Sequence, residues 1–401
     1  LNDVNTFVME AWYDDPLLMI PGPSELHPRV REVLAGRFYP HYGHEWKELY
    51  EKVEDVAKKI FQTKNEIIVM PGPGCLGLEL GVLSVADRGE KVVAVVNGFF
   101  GERFAEIAKL CGLNLVKVEA GPGMVVPPSK LEETLDDNPD AKALISVQNE
   151  SATGTLNPVK DYVMLAKKRG LFTVIDSVSA YGGVDIDVDG WGIDICVGYA
   201  NKCLGSIPGA LPVSISSEVW ERVERGLVKP NSFMTNLAVW SWYRKNWGGM
   251  GHPYPTTVNT FAYLAFKVAA EAALSEGLMK RYERHRTIAM ATREAVKAMG
   301  LELTVHEDAH ASPTITAIDL PSGARNKLQD ILKTMLTKHR IMIGGGLGST
   351  AGRAIRIGHM GITADPRYVV PTLTSLTITL REAGVEVEKV GTVIDAFYSA
   401  I

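Results

Sequence analysis

Short, unbroken apolar runs recur along this chain, separated by segments of a different period. EIIVM (66–70), KVVAVV (91–96), ALISV (143–147), FTVID (172–176) and the stretch from Ile193 to Val197 are rich in β-branched residues and have the length of strands buried on both faces. Between them the apolar positions fall at helical spacing. EWKELYEKVEDVAKKIF, from Glu45 to Phe61, carries apolar and aromatic residues on one face and charges on the other; GFFGERFAEIAKLCG reads as a turn and a helix, and 159–169 as a further helix. LNLVKVEA and SKLEETLDD continue the alternation as strand and short helix. Strand alternating with helix predicts an α/β fold on a mostly parallel sheet. Farther on, VNTFAYLAFKVAAEAALSEGL reads as one long apolar-faced helix that bridges to a smaller α/β domain, where LELTVHE, PTITAIDLP, KLQDILKTMLTKH and a final helix alternate again. The expected division is an arm over 1–20, a large domain over 21–265 and a small C-terminal domain over 266–401.

A parallel sheet gathers the carboxyl ends of its strands on one edge, where ligands of open α/β sheets bind. The first such end is glycine-rich, with Gly72, Gly74 and Gly77 in G-x-G-x-x-G order before an apolar helix. That order can mark a dinucleotide site, and so an NAD(P)-dependent dehydrogenase, but the next strand ends on Asn97 rather than on the acidic residue that would hold a ribose. The more general reading is an anion, because the free N–H groups of Gly74 and Cys75 open a helix and favour a phosphate. Phe99 and Phe100 follow the second strand, where one aromatic ring could stack on a flat ligand. The third end, Asn149 to Gly154, offers hydroxyl and amide donors, although a plain turn selects the same residues. The fourth closes on Asp176, a partly buried carboxylate that a cationic nitrogen would suit. The last run stops at Gly198, and the loop after it bears Lys202 and Cys203 before Gly205, Pro208 and Gly209 end it. A lone loop lysine is ordinary solvated surface, whereas one beside these groups is placed for imine chemistry. An anion-binding turn, hydroxyl donors, a carboxylate and an amine are together what pyridoxal 5′-phosphate requires.

Composition narrows the partners. With 401 residues the chain has room for roughly two domains, and a net charge of −5 leaves no basic face for nucleic acid. The expected partner is a small molecule. Four cysteines, Cys75, Cys111, Cys196 and Cys203, stand far apart with no CxxC pair, which argues against a disulfide framework and a zinc site. No apolar run reaches the length of a membrane span, and the first residues have no signal-peptide pattern, so a soluble cytoplasmic protein is expected.

These motifs resemble, nearly end to end, the class V aminotransferases of fold type I, in the branch of alanine-glyoxylate and serine-pyruvate aminotransferases. The resemblance runs through PGPSELHPRV, NGFFGER, NESATGTLNP, VIDSVSAYGG, NKCLGSIPG and AIRIGHMG. It implies a large domain with a mostly parallel seven-stranded sheet between helices, a smaller α/β domain, and a homodimer with shared active sites. It implies ping-pong transamination through an imine on Lys202, between alanine or serine and glyoxylate or pyruvate. Asp176 would pair with the pyridine nitrogen, Val178 would lie under the ring and Phe100 above it. Ser151 matches the residue near the ring oxygen, and Gly74, Cys75 and Asn201 match the phosphate contacts. Tyr254 or Thr256, in HPYPTT, is the nearest match to the residue that the partner subunit adds to the phosphate site. Gly22 would border the substrate, and Arg356, a charge among apolar residues at strand spacing, matches the arginine that grips the α-carboxylate. Arg353 is expected to face solvent or a backbone carbonyl, and His359 to be a turn residue without a catalytic role.

Two relatives of the same fold are less well matched. Pyridoxamine-pyruvate transaminases resemble this chain in NKCLG and RIGHMG but carry a glutamate in the turn that here holds Pro73 and Gly74. Cysteine desulfurases need a histidine before the lysine and a mobile cysteine near the C-terminus; here Asn201 precedes Lys202 and no cysteine follows Cys203.

Overall fold

The computed structural model describes residues 15–229 and 232–401. Most of the arm expected over 1–20 lies outside the described residues, but its end does not behave as an arm. β1 (Leu17–Met19) pairs in parallel with a strand more than 300 residues away, and so belongs to a sheet.

The strands then run β2 (Glu66–Gly72), β3 (Lys91–Val96), β4 (Asn114–Glu119), β5 (Ala143–Val147), the short pair β6 (Asn149–Glu150) and β7 (Thr155–Leu156), β8 (Phe172–Asp176), β9 (Ile195–Val197) and β10 (Gly209–Ile215). Seven of these make one sheet in the order β2-β10-β9-β8-β5-β3-β4. Only β10 is antiparallel to its neighbours, so the other six present their carboxyl ends on one edge. β10 is invisible to a search for apolar runs because Pro212 interrupts it. A proline cannot donate to a ladder, yet here it lies one residue beyond the stretch paired with β9, and its carbonyl still accepts from the Gly198 N–H at 2.9 Å. β9 is shorter than expected: Asp194 turns its carboxylate to the Thr173 N–H at 2.8 Å and to Lys167 at 2.9 Å.

The helices follow their sequence periods. His44–Phe61 buries Trp46, Tyr50, Val53, Ala57, Ile60 and Phe61 along one stripe and ends at Gln62 in the left-handed conformation. Gly74–Val85 has no such stripe, because it is apolar nearly all round and packs tightly on the sheet. Its Gly77 and Gly81 allow that approach, since a Cβ would come within 2.8 Å of Val197 and 2.6 Å of Val174 respectively. The expected bridge helix is Thr260–Glu276; it ends at Gly277 with φ +87°, and a second helix, Leu278–Ala298, follows directly.

Strands β11 (Glu302–Leu303), β12 (Ile315–Asp319), β13 (Ile341–Gly345) and β14 (Ala354–Gly358) join β1 in a second sheet, ordered β1-β13-β14-β12-β11. Each sheet has its own apolar cluster. The first continues through the Thr260–Glu276 helix to Ala273, past residue 265, while Met19 belongs to the second. The four cysteines are unpaired. Among the described residues no helix is long and apolar enough to cross a membrane.

One close approach fixes the segment that leads from β1 toward the edge of the large sheet. Gly358, at the end of β14, lies so near Ile20 that an added Cβ would collide with its carbonyl and sit 2.8 Å from the Pro21 nitrogen. Gly358→Ala should cost roughly 1–3 kcal/mol by overpacking against main chain. Gly391→Ala, where nothing stands within 4 Å, is the matched control. Urea unfolding of the two variants checks this; equal midpoints would contradict it.

Candidate active site

Lys202 sits in the loop after β9, at the carboxyl edge of the large sheet. Part of the residue remains accessible, but its ammonium end is packed over Pro21–Gly22. Nζ donates to the Pro21 carbonyl at 2.5 Å, and a Cβ on Gly22 would come within 2.6 Å of it. Gly22 also has φ +111°, which side chains rarely adopt, so both space and backbone select glycine. Burial lowers the Lys202 ammonium to about 8, with Arg356 and Arg103 adding to the effect and Asp176 opposing it. The loop is clamped on either side of its contact with Gly22. Ser24 Oγ donates to the Lys202 carbonyl at 2.5 Å, and Arg281 donates to the Cys203 carbonyl at 2.5 Å and the Gly182 carbonyl at 2.6 Å.

Asp176 ends β8 and is buried. Its Oδ1 accepts from the Val178 N–H at 2.9 Å, and burial pushes the carboxyl up to about 6. No cation stands within ion-pair distance among the described residues, so a cationic nitrogen would satisfy it. Val178 in turn touches the start of the Gly74–Val85 helix, where a Cβ on Gly74 would meet it at 2.8 Å. That helix has no side-chain cap, which leaves its first N–H groups, at Gly74 and Cys75, free for an anion. Asn201, beside Lys202, holds a buried Oδ1 with no partner in the protein. An anion subsite, a carboxylate lacking a cation, an amine and an unsatisfied amide are thus brought together by loops of one sheet edge. These groups fit the phosphate, ring nitrogen and aldehyde of pyridoxal phosphate.

The third strand end is organised by a residue the sequence reading passed over. Glu150 is buried, and its carboxylate accepts from the N–H groups of Phe100 and Gly101 at 2.9 Å and of Ala152 at 3.0 Å. It thereby caps the helix that carries Phe100 and shapes the turn that carries Ser151. The Ser151 carbonyl accepts from Arg356 Nη1 at 2.8 Å, and Gly345 O from its Nε at 2.8 Å. Arg356 is buried on β14, and burial lowers its guanidinium to about 10, eased by the Glu150 charge. No carboxylate lies within ion-pair distance of it among the described residues. A Cβ on Gly344 would meet both Pro21 at 3.2 Å and Arg356 Nη2 at 3.6 Å, which places the guanidinium beside the segment that touches Lys202.

Other expectations fare differently. Tyr254 is buried in the core, where its hydroxyl accepts from Trp46 Nε1 at 2.5 Å and donates to the His41 carbonyl. Thr256 is half-buried and Thr257 exposed. Arg353 stays about 32% exposed and pairs with Asp319 at 3.3 Å. His359, in the connection that follows β14, is fully buried against Thr316. The dinucleotide reading fails on topology: β2 and β3 are separated by four strands, so no adjacent βαβ unit exists at the glycine-rich turn. Asn97 donates to Met124 O and Asn157 Oδ1, both at 2.8 Å.

The class-V aminotransferase family model matches residues 32–361. The chain is 35% identical over 376 residues to an uncharacterized aminotransferase of Methanocaldococcus jannaschii, covering 94% of this chain and 95% of that one. It is 30% identical over 374 residues to the alanine–glyoxylate aminotransferase of Oryctolagus cuniculus, with 92% of each covered. Among solved structures, the pyridoxamine-pyruvate aminotransferase of Mesorhizobium loti superposes with a TM-score of 0.88 at 27% identity, over 96% of this chain and 97% of that one.

Proposed function

The chain belongs to the class V aminotransferases, fold type I enzymes that work with pyridoxal phosphate, and on that premise we propose that it moves an amino group between a small L-amino acid, alanine or serine, and glyoxylate or pyruvate. The observation that carries this reading is the juxtaposition of Lys202, Gly22 and Arg356. A carboxylate held by the guanidinium stands close to the Pro21–Gly22 backbone, and that backbone leaves little room for a long side chain.

The bound cofactor supplies an aldehyde that condenses with amines and a ring that withdraws electrons from the substrate Cα. Every other task falls to the chain. Gly74 and Cys75 would hold the phosphate with main-chain N–H groups, and the Asn201 amide would add a side-chain contact. Asp176, ionised at neutral pH because its carboxyl titrates near 6, would bind the protonated ring nitrogen. Phe100 and Val178 would bracket the ring, with Ser151 beside its oxygen. Lys202 Nζ is the base for the Cα proton, since an ammonium near 8 leaves a usable neutral fraction at pH 7. In a homodimer, Thr256 is the better placed of the two candidates for the partner's phosphate, because the Tyr254 hydroxyl is already engaged at both ends.

The structural likeness to a pyridoxamine-pyruvate aminotransferase favours a second reading, in which free pyridoxamine is the amino donor. A donor panel separates the two. With glyoxylate or pyruvate as acceptor, kcat/KM for alanine or serine is expected to exceed that for pyridoxamine at least about tenfold. The reverse order would establish the second reading, and no turnover of any amino donor would sink both.

A further inference from the structure

A cavity of about 370 Å³ opens elsewhere in the molecule, lined by neither Lys202, Asp176 nor Arg356. Its walls come from the segments 156–160 and 183–185 on one side, and from the Leu278–Ala298 helix and residues 308–313 on the other. This volume is within the range of small-ligand pockets.

The body of the cavity is apolar, with Leu156, Val159, Val184, Trp191 and Ala289 on its walls. Its charged residues are three cations, Lys160, Arg286 and Arg293, against two acids, Asp185 and Asp308. Both acids are engaged. Asp185 accepts from Gln62 at 3.1 Å, and Asp308 accepts from Arg293 Nε at 2.8 Å with Lys297 at 3.5 Å. Arg286 pairs with Glu283 at 3.0 Å, on the exposed side. Two lining residues carry donors without acceptors. The Tyr282 hydroxyl and Arg293 Nη1 are buried and find no partner in the protein, although both side chains are more than nine-tenths covered. An unmet buried donor costs stability, and a guanidinium nitrogen most of all.

We infer that this cavity is a second ligand site, which takes a small molecule with an apolar body and one carboxylate, the carboxylate meeting Arg293 and Tyr282. An apolar wall that also carries an unmet guanidinium nitrogen and an unmet hydroxyl selects that class over a sugar, a nucleotide or a free phosphate. The site also borders the lysine loop. Gly183 packs against Cys203, where a Cβ would come within 2.5 Å of Sγ, and Gln148 bridges the Asp185 carbonyl at 2.8 Å and Ser177 Oγ at 2.7 Å, next to Asp176.

Benzoate and indole-3-acetate titrated calorimetrically into the cofactor-loaded protein test this. Because Arg356 is also a carboxylate-binding candidate, the measurement is repeated in Arg356→Met. At least one probe is expected to bind saturably in both proteins. Arg293→Met should weaken that binding at least about tenfold, and Ala289→Phe, which fills the cavity, should abolish it. Should Ala289→Phe fail to fold, Leu156→Trp fills the cavity from the other wall and is expected to give the same loss. Absence of binding for both probes overturns the inference, as does binding that survives the cavity-filling variant and disappears with Arg356→Met.

Discussion

Lys202→Ala is expected to lower transamination by at least about 10⁴-fold and to remove the visible absorbance that the bound cofactor owes to this amine. The substitution deletes both the group that condenses with the cofactor and the base for the substrate proton. It should not unfold the protein. Among the described residues the Lys202 side chain makes one hydrogen bond, to the Pro21 carbonyl, and its ammonium is held down from an ordinary 10.5 to about 8 by burial. The sign of the linked stability follows from that direction. Below pH 8 both folded and unfolded chains carry the charge, and the folded state bears its full burial penalty. Between about 8 and 10.5 the unfolded chain binds more protons, so the cofactor-free protein gains stability as pH rises, by on the order of 3 kcal/mol. The alanine variant lacks that gain and should be the more stable protein at pH 7. Cofactor loading of the wild type should quicken about tenfold per pH unit on the acid side and level off near 8, as the neutral amine accumulates. Chemical unfolding across pH and stopped-flow loading are the two measurements. A variant that keeps the absorbance band, or a loading rate indifferent to pH, would remove Lys202 from its role.

The strand ends of the large sheet were legible because their signal is local. An apolar run and its terminating residue are neighbours in sequence, so Asp176 and Lys202 announce themselves as polar groups stopping β8 and following β9. The glycine-rich turn was legible for the same reason, and strand order added a second argument to Asn97 against a dinucleotide site. Contacts spanning the chain were not readable. Lys202 meets Pro21 across 181 positions, and Arg356 meets Ser151 across 205. The partner of β1 lies at Ile341–Ile343, so a segment with the look of a loose arm becomes the edge of a sheet. Arg281 and Glu150 were missed because a charged residue in an amphipathic sequence is assigned to water by default. A fainter signal existed for Arg281. It shares a helical stripe with His285, Ile288, Thr292 and Ala295, all buried, and a cation on such a stripe must find acceptors. Tyr254 is the converse case: its candidacy came from the resemblance of HPYPTT to the family pattern, and no local signal tells that its hydroxyl is held inside the fold by Trp46 and the His41 carbonyl.

Arg356→Met should cut kcat/KM for alanine and serine by about 10²–10⁴-fold, because two charge-assisted hydrogen bonds to a carboxylate are worth roughly 1.5–3 kcal/mol each and the variant retains neither. The loss should fall on recognition of the carboxylate rather than on the amine chemistry. The same variant should slow cofactor loading at Lys202 only modestly, since the Arg356 charge is a lesser cause than burial of the lowered ammonium, and it should leave pyridoxamine, a donor without a carboxylate, nearly as reactive in its own half-reaction. Arg356→Lys keeps the charge but not the fork. The arginine reaches two fixed carbonyls, Gly345 O and Ser151 O, with Nε and Nη1, and so aims Nη2 without further ordering. A lysine cannot make that set of bonds, so this variant should still lose at least about tenfold. Stability is the necessary control. Arg356 is buried with its ionisation lowered to about 10, so burying it as a cation already costs the fold something, while methionine leaves the two carbonyls unmet. These effects oppose each other, and the variant should unfold within roughly 2 kcal/mol of wild type. Single-turnover kinetics with each donor decides the matter. Equal losses for donors with and without a carboxylate would make Arg356 a brace for the Ser151 turn, and the substrate would then have to be held by another group.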